Sequence, residues 1–197
     1  MRIVQVVVHE NFQKAVQKAA AALLQGNVVV CPTDTVYGLL ADATNGKAVR
    51  KVVQIKGRQQ GKPLPIFVKD MATAKQLAKI SLLQEKYIKK VWPGKVTLVF
   101  KSRGVLPKET GTTKTIGLRI PNHVFLQMLL AVLGRPVVGT SANLAGKPPI
   151  LDSKDIVKQF WKRTYKPDIL LDAGKLPRSR PSRVIDIIGS EPKILRK

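Results

Sequence analysis

The sequence predicts an α/β protein with a twisted mixed sheet covered by helices. Two patterns carry that prediction. Short apolar runs without alternation, such as Asn27–Cys31 and Pro136–Gly139, read as strands buried on both faces, and they interleave with segments whose apolar residues recur at helical spacing. Neighbouring strands such as Lys95–Lys101 and Thr115–Ile120 have no helix between them, which argues for a mixed sheet and not an all-parallel one. The 197 residues suit one domain with a sizeable core, and the chain contains no internal repeat or low-complexity tract.

Taken in order, Arg2–Val8 reads as an opening strand. A helix follows from Asn11, with Phe12, Ala15, Val16, Ala19, Ala20, Leu23 and Leu24 as its apolar stripe and Gly26 as its stop. The strand Asn27–Cys31 ends at Pro32, which has no N–H to give to a ladder. A second helix spans about Lys47 to Ile55, and Leu64–Val68 is the next strand. Asp70 caps a helix over Met71–Lys79, and Ser81 caps one that ends near Val91 at the break Trp92-Pro93-Gly94. Lys95–Lys101 is a strand, Ser102–Thr113 a loop, and Thr115–Ile120 a strand that stops at Pro121. Asn122 caps an apolar helix through Leu133, closed by Gly134. After Pro136–Gly139, a helix starts at Asp152 or Ser153 and covers Lys154–Trp161. Asp168–Leu171, Val184–Ile188 and Lys193–Leu195 complete the strands, and Lys175–Arg183, with four cations and two prolines, reads as a mobile loop.

Composition narrows the function classes. The formal net charge is +23, from 35 basic against 12 acidic residues, which exceeds what solubility needs and favours polyanions such as RNA or phosphate-bearing substrates. The single cysteine, Cys31, excludes an internal disulfide and a multi-cysteine zinc site. No apolar stretch approaches the roughly 20 residues of a membrane span, and the N-terminus carries no signal-peptide pattern, so a cytoplasmic location is expected. His9 and His123 are too isolated for a metal site, and neither a Walker phosphate loop nor a dinucleotide glycine fingerprint is present.

Four stretches carry chemistry. Thr33–Leu39 places hydroxyls, a carboxylate and a phenol at the carboxyl end of a buried strand, where open sheets bind small molecules. Gly139-Thr140-Ser141-Ala142-Asn143 repeats that logic after a second buried strand. Lys56-Gly57-Arg58, with Lys62 nearby, sets a point charge and a planar fork beside a glycine at a helix exit. Thr115 and Arg119 stand four residues apart on one face of a strand, and Arg119 suits a bidentate carboxylate contact. Each stretch taken alone is also compatible with a capped turn, a solvated basic turn or an edge strand. Trp92-Pro93-Gly94 reads as a structural turn with an aromatic anchor.

In combination the sequence resembles the YrdC-like family of threonylcarbamoyl-adenylate synthases. The resemblance rests on Pro32-Thr-Asp-Thr-Val-Tyr-Gly-Leu39, Lys56-Gly-Arg58 followed by Lys62-Pro-Leu64, Trp92-Pro-Gly-Lys-Val-Thr97, Arg119-Ile-Pro121, Thr140-Ser-Ala-Asn143, and Pro181-Ser182 before Val184-Ile-Asp186, in the family's order. It implies a single domain of the short form, a basic concave cavity, and synthesis of threonylcarbamoyl-AMP from L-threonine, bicarbonate and ATP, with Mg2+ assisting and pyrophosphate released. The product would pass to a tRNA threonylcarbamoyl transferase complex, and RNA binding is expected of some members. A non-catalytic RNA-binding relative is the alternative.

The resemblance assigns Lys56 and Arg58 to catalysis on the ATP phosphates. It gives Thr115, Ser141, Asn143 and Arg196 to ATP, and Thr33, Thr35, Arg119, Thr140 and Ser182 to threonine. Three positions depart from the family pattern: Phe67 where many relatives carry histidine, Lys95 where proline is common, and Arg183 where threonine is usual.

Overall fold

The computed structural model describes residues 1–5, 12–189 and 191–197. The expected strand residues beyond Gln5 up to Val8, the helix start at Asn11, and His9 lie outside them. Among the described residues, one mixed sheet takes in β1 (Arg2–Gln5), β2 (Val29–Cys31), β3 (Gly38–Asp42), β4 (Ile66–Phe67), β5 (Ala78–Lys79), β6 (Val96–Ser102), β7 (Thr115–Arg119), β8 (Val137–Ser141), β9 (Ile169–Asp172), β10 (Arg183–Asp186) and β11 (Lys193–Arg196). The helices are α1 (Phe12–Leu24), α2 (Gly46–Lys56), α3 (Met71–Leu77), α4 (Leu82–Val91), α5 (Val124–Leu133) and α6 (Ser153–Phe160).

The strand order is β1-β9-β2-β3-β8-β4-β7-β6-β10-β11, with β5 paired to β6. Pairs β1–β9, β2–β9, β4–β7 and β6–β10 are parallel, whereas β2–β3, β3–β8, β4–β8 and β6–β7 are antiparallel. The mixture follows from the short connections: an antiparallel neighbour needs only a turn, and a parallel one needs a crossover.

Side-chain alternation divides the sheet into two faces. On one face, Leu39, Ile66, Val68, Leu98, Phe100, Ile116, Leu118 and Val138 pack beneath α2, α3, α4 and α6. On the other, Val29, Cys31, Leu40, Phe67, Val137 and Leu171 pack beneath α1 and α5. Strands β6, β7 and β10 give nothing to this second cluster. Their outward residues, including Thr97, Gly117 and Arg119, therefore face a part of the sheet that α1 and α5 leave open.

The caps follow local chemistry. Asp70 Oδ1 accepts from the Thr73 amide at 2.8 Å, and Ser81 with Gln84 forms a capping box at the start of α4. Gly57 ends α2 in the left-handed region at φ +59, a conformation that costs glycine nothing.

Four expectations change. Gly38–Asp42 forms a fully buried strand that the polar residues before it obscure. The helix from Met71 stops at Leu77, and Ala78–Lys79 turns into a short strand against Lys101 and Ser102. Asn122 does not cap α5: His123 holds that position without a side-chain bond, and the Asn122 amide instead donates to Asp34 at 3.3 Å. The strand expected over Pro136–Gly139 extends to Ser141, because Thr140 and Ser141 pair with Leu39 and Gly38.

Candidate active site

A cavity of about 270 Å³ opens where the second face is uncovered. Its floor is the sheet itself. Gly139 keeps that floor low: a Cβ there would meet the Phe67 ring at 2.4 Å, so only glycine lets the ring lie across β8. Phe67 pairs with Arg119 across β4 and β7, and the Arg119 guanidinium stands 5.6 Å from the ring centroid.

Thr33–Tyr37 forms one wall. The Thr33 hydroxyl donates to the Val36 carbonyl at 2.6 Å and accepts from the Thr35 and Val36 amides at 3.0 and 3.2 Å. It builds the turn from within. Tyr37 props the turn from outside: its phenol donates to the Gly174 carbonyl at 2.8 Å and accepts from the Ala173 amide at 3.0 Å. Burial, with smaller contributions from its neighbours, pushes the Tyr37 pKa up to about 12, so the phenol stays protonated as a donor. These two bonds, with Leu176 N donating to Leu151 O, tie the start of Lys175–Arg183 to the body of the protein.

The loop after β8 forms the adjoining wall, with the Ala142 amide donating to the Tyr37 carbonyl at 2.7 Å, and a residue from another element fastens it. Lys56, buried at the end of α2, sends Nζ to the Ser141 carbonyl at 2.7 Å, the Asn143 carbonyl at 3.0 Å and Asn143 Oδ1 at 3.1 Å. Those bonds use all three ammonium donors. Asn143 Oδ1 also accepts from the Ser141 hydroxyl, and its Nδ2 donates to the Lys147 carbonyl, which fixes the carboxamide's orientation. Burial, then the nearby Arg58 charge, lowers the Lys56 pKa to about 8.

Arg119 is the most enclosed cation. Its side chain is 2 % exposed, Nη2 donates to Asp34 Oδ2 at 2.6 Å, and Nε donates to the Gly94 carbonyl at 2.8 Å. Burial lowers its pKa from the ordinary arginine value, and Asp34 opposes that shift. The Trp92-Pro93-Gly94 turn therefore positions a cavity residue as well as breaking the chain; Trp92 anchors it through Nε1 to the Val96 carbonyl at 2.7 Å. His123 lies close enough to feel both Asp34 and Arg119, and burial holds its pKa below the usual histidine range. Within Coulomb range of Arg119, Arg196 binds the Ser182 carbonyl at 2.6 Å and the Ser182 hydroxyl at 3.1 Å, and Ser182 in turn meets Thr97 at 3.2 Å.

Of the positions named from sequence, Thr33, Thr35, Arg119, Thr140, Ser141, Asn143, Ser182 and Arg196 line this one cavity. Lys56 reaches its wall through Ser141 and Asn143. Arg58 does not line it; its Nη2 donates to the Pro63 carbonyl at 3.1 Å. Thr115 shares a face with Arg119 but stands at the other end of β7, opposite Lys101, roughly 13 Å away at the usual rise per residue, and is not part of the lining. Sequence reasoning missed Thr97 and Gly139 as wall and floor, Asp34 as the partner of Arg119, and Tyr37 as the strut. The aspartate between two threonines was the available signal for Asp34.

Comparison with known proteins fits this geometry. The Sua5/YciO/YrdC family model, described as telomere recombination, matches residues 21–197. The chain belongs to the Sua5/YciO/YrdC family. The putative threonylcarbamoyl-AMP synthase of Methanocaldococcus jannaschii is 37% identical over 178 residues, covering 90% of this chain and 83% of that protein. The threonylcarbamoyl-AMP synthases of Pyrococcus abyssi and Bacillus subtilis are 33% and 37% identical over 90% and 92% of this chain, which spans 52% of each of them. Among solved structures, P. abyssi Sua5 complexed with L-threonine superimposes with a TM-score of 0.90 at 32% identity, over 100% of this chain and 57% of that one. E. coli YciO matches with a TM-score of 0.85 at 24% identity, over 100% of this chain and 94% of that one, a likeness of fold alone.

Within the Sua5/YciO/YrdC frame, only one of the three departures touches the cavity. Phe67 forms its floor, whereas Lys95 and Arg183 are exposed and stand outside the lining. Lys95 Nζ donates to the Ser179 hydroxyl at 2.8 Å, which pins the loop that ends at Arg183.

The wall offers hydroxyls, a carboxamide and cations, and no carboxylate. No group of three or more His, Cys, Asp or Glu side chains suited to a metal occurs among the described residues. This donor set does not fit a metal held by the protein.

Proposed function

We propose that this chain is an L-threonylcarbamoyladenylate synthase, a nucleotidyltransferase built as a single domain. The observation that supports it best is the convergence of Arg119, the Thr33–Tyr37 turn and the loop held by Lys56 on one basic cavity. Its relatives bear that enzyme's name. The volume, about 270 Å³, lies below the roughly 300–1,000 Å³ of drug-sized sites, so it would hold the reacting ends while the nucleoside extends past the rim.

The chemistry needs no protein nucleophile. The threonine amine adds to the carbon of bicarbonate, and loss of water leaves a carbamate. A carbamate oxygen then forms a bond to the α-phosphorus of ATP as the bond from that phosphorus to pyrophosphate breaks. What the protein supplies is alignment of two anions and stabilisation of the charge that builds on the departing pyrophosphate. Arg119 takes the threonine carboxylate, with Thr35, Thr140 and Ser182 around the rest of the amino acid. Ser141, Asn143 and Arg196 meet the nucleotide. Lys56 acts from behind the loop as a fixed charge, since its donors are already engaged, and Arg58 extends that charge toward the phosphates as they leave the cavity.

The product would pass to a tRNA threonylcarbamoyl transferase complex in the cytoplasm. The net charge of +23 supports transient contact with RNA during that transfer. No helix of the described residues is long and apolar enough to cross a membrane. The deciding experiment is mass spectrometry of the small-molecule product after incubation with ATP, bicarbonate and threonine. A threonylcarbamoyl-AMP mass that requires all three supports the assignment, and its absence overturns it.

A further inference from the structure

We propose that Asp34 sorts the two anions that share the cavity, by neutralising Arg119 in advance so that the Arg119 end accepts a singly charged carboxylate and rejects polyphosphate. This rests on the synthase reading and adds a specificity residue to it.

The observation is an asymmetry among the cations. Lys56 is held by two carbonyls and a carboxamide oxygen, Arg58 by the Pro63 carbonyl, and Arg196 by the carbonyl and hydroxyl of Ser182. All of these partners are neutral. They fix where each cation sits and leave its charge uncancelled. Arg119 alone of the four has a carboxylate partner among the described residues, Asp34, at 2.6 Å. Both members are shielded from water, with side chains 2 % and 7 % exposed, so their charges offset each other with little help from solvent.

Burial would otherwise make Arg119 the strongest attractor in the cavity, because its field is the least screened. A triphosphate would be drawn to it and would occupy the place of the amino acid. Paired with Asp34, Arg119 itself adds little net charge to its end of the cavity, where Arg196 stands within Coulomb range, yet it keeps shape. Nε and Nη2 are committed to Gly94 and Asp34, and Nη1 keeps its hydrogens for the cavity. A single carboxylate gains directed hydrogen bonds there. A multiply charged phosphate gains the same bonds but little extra Coulomb energy, and binds instead where the uncancelled cations stand. Asp34 also sits between Thr33 and Thr35 and accepts from the Asn122 amide, so one side chain fastens the turn to the start of α5 as it sets the charge.

The test is calorimetric titration of L-threonine, with and without saturating pyrophosphate, into the unaltered protein and into Asp34→Asn. In the unaltered protein pyrophosphate should leave threonine affinity within about twofold, and in Asp34→Asn it should weaken it at least about tenfold. Competition in the unaltered protein, or none in Asp34→Asn, overturns the sorting role. A purely structural role for Asp34 would weaken threonine binding without creating competition. Should Asp34→Asn fail to fold, the competition experiment on the unaltered protein decides alone. If the unaltered protein binds no threonine, the synthase reading falls and the proposal with it, a result distinct from threonine binding that pyrophosphate blocks.

Discussion

The two polar segments that line the cavity side by side, joined where the Ala142 amide donates to the Tyr37 carbonyl at 2.7 Å, look alike in sequence and are held in different ways. Thr33–Tyr37 and Thr140–Asn143 both follow buried strands and both carry hydroxyls. The first is built from within by the Thr33 hydroxyl, which bonds inside its own turn, and is braced from outside through Asp34 and Tyr37. The second depends on a remote residue, since Lys56 from α2 supplies the bonds that fix Ser141 and Asn143. Loss of the Thr33 hydroxyl should stay local to its turn. Damage to the second can be inflicted from 85 to 87 positions away in the chain.

The largest effect should come from Lys56→Ala. It leaves the Asn143 carbonyl without its donor, costing about 1–3 kcal/mol if water cannot reach it, takes one of two donors from the Ser141 carbonyl and from Asn143 Oδ1, and removes the fixed charge behind the phosphates. Threonine- and bicarbonate-dependent pyrophosphate release should fall at least about 100-fold, while circular dichroism still reports a folded protein. Arg58→Ala should lose activity on a similar scale with a smaller stability cost, because its one recorded partner is the Pro63 carbonyl. Near-normal turnover in both variants would remove the cations from the phosphate site.

Thr33→Val should be milder. It loses the hydroxyl that organises the turn, for a cost of about 1–2 kcal/mol in thermal or denaturant melts, and threonine KM should rise while ATP KM changes little. Thr33→Ser should restore most of both. Equal losses in the two KM values would show that the walls do not divide the substrates.

The pH dependence separates the walls further. Lys56 has a folded-state pKa of about 8, below its ordinary value. Above that pH the folded protein carries a neutral amine, and ATP KM should climb. Stability should move the other way: from about pH 8 upward the unfolded chain holds the proton longer than the folded one, so folding gains as pH rises. Lys56→Gln should flatten both trends, measured as KM and melting temperature between neutral pH and mild alkali.

The smallest effect is expected at Thr115. Thr115→Val should leave both KM values within about twofold, because its side chain stands away from the cavity lining. A large rise in ATP KM would instead mean that the nucleotide reaches along β7.

Much of this was legible in the sequence. Uninterrupted valine runs gave the buried strands, and Asp70, Ser81 and Gly57 marked helix ends through side-chain and backbone chemistry that acts within a few residues. The ordered motifs brought most of the lining residues together correctly. What escaped was pairing over distance. In the sequence Arg119 stands open to a substrate carboxylate, and nothing beside it in the chain reveals that Asp34, 85 residues earlier, already holds one edge of it. In the sequence Lys56 stands free to grip phosphate, although its donors are spent on a loop that only the folded chain brings near. Gly38–Asp42 escaped because the polar residues directly before it obscure where the buried strand begins.

Gly139 and the Phe67 ring laid across it have an outcome for how this surface could be re-engineered. Enlarging Gly139 would jam the aromatic upward into the space a substrate needs, so the seat cannot be reshaped from underneath. Altered selectivity is more readily sought by trimming the phenyl group from above, which would deepen the seat for a bulkier amino acid and leave the backbone ladder intact.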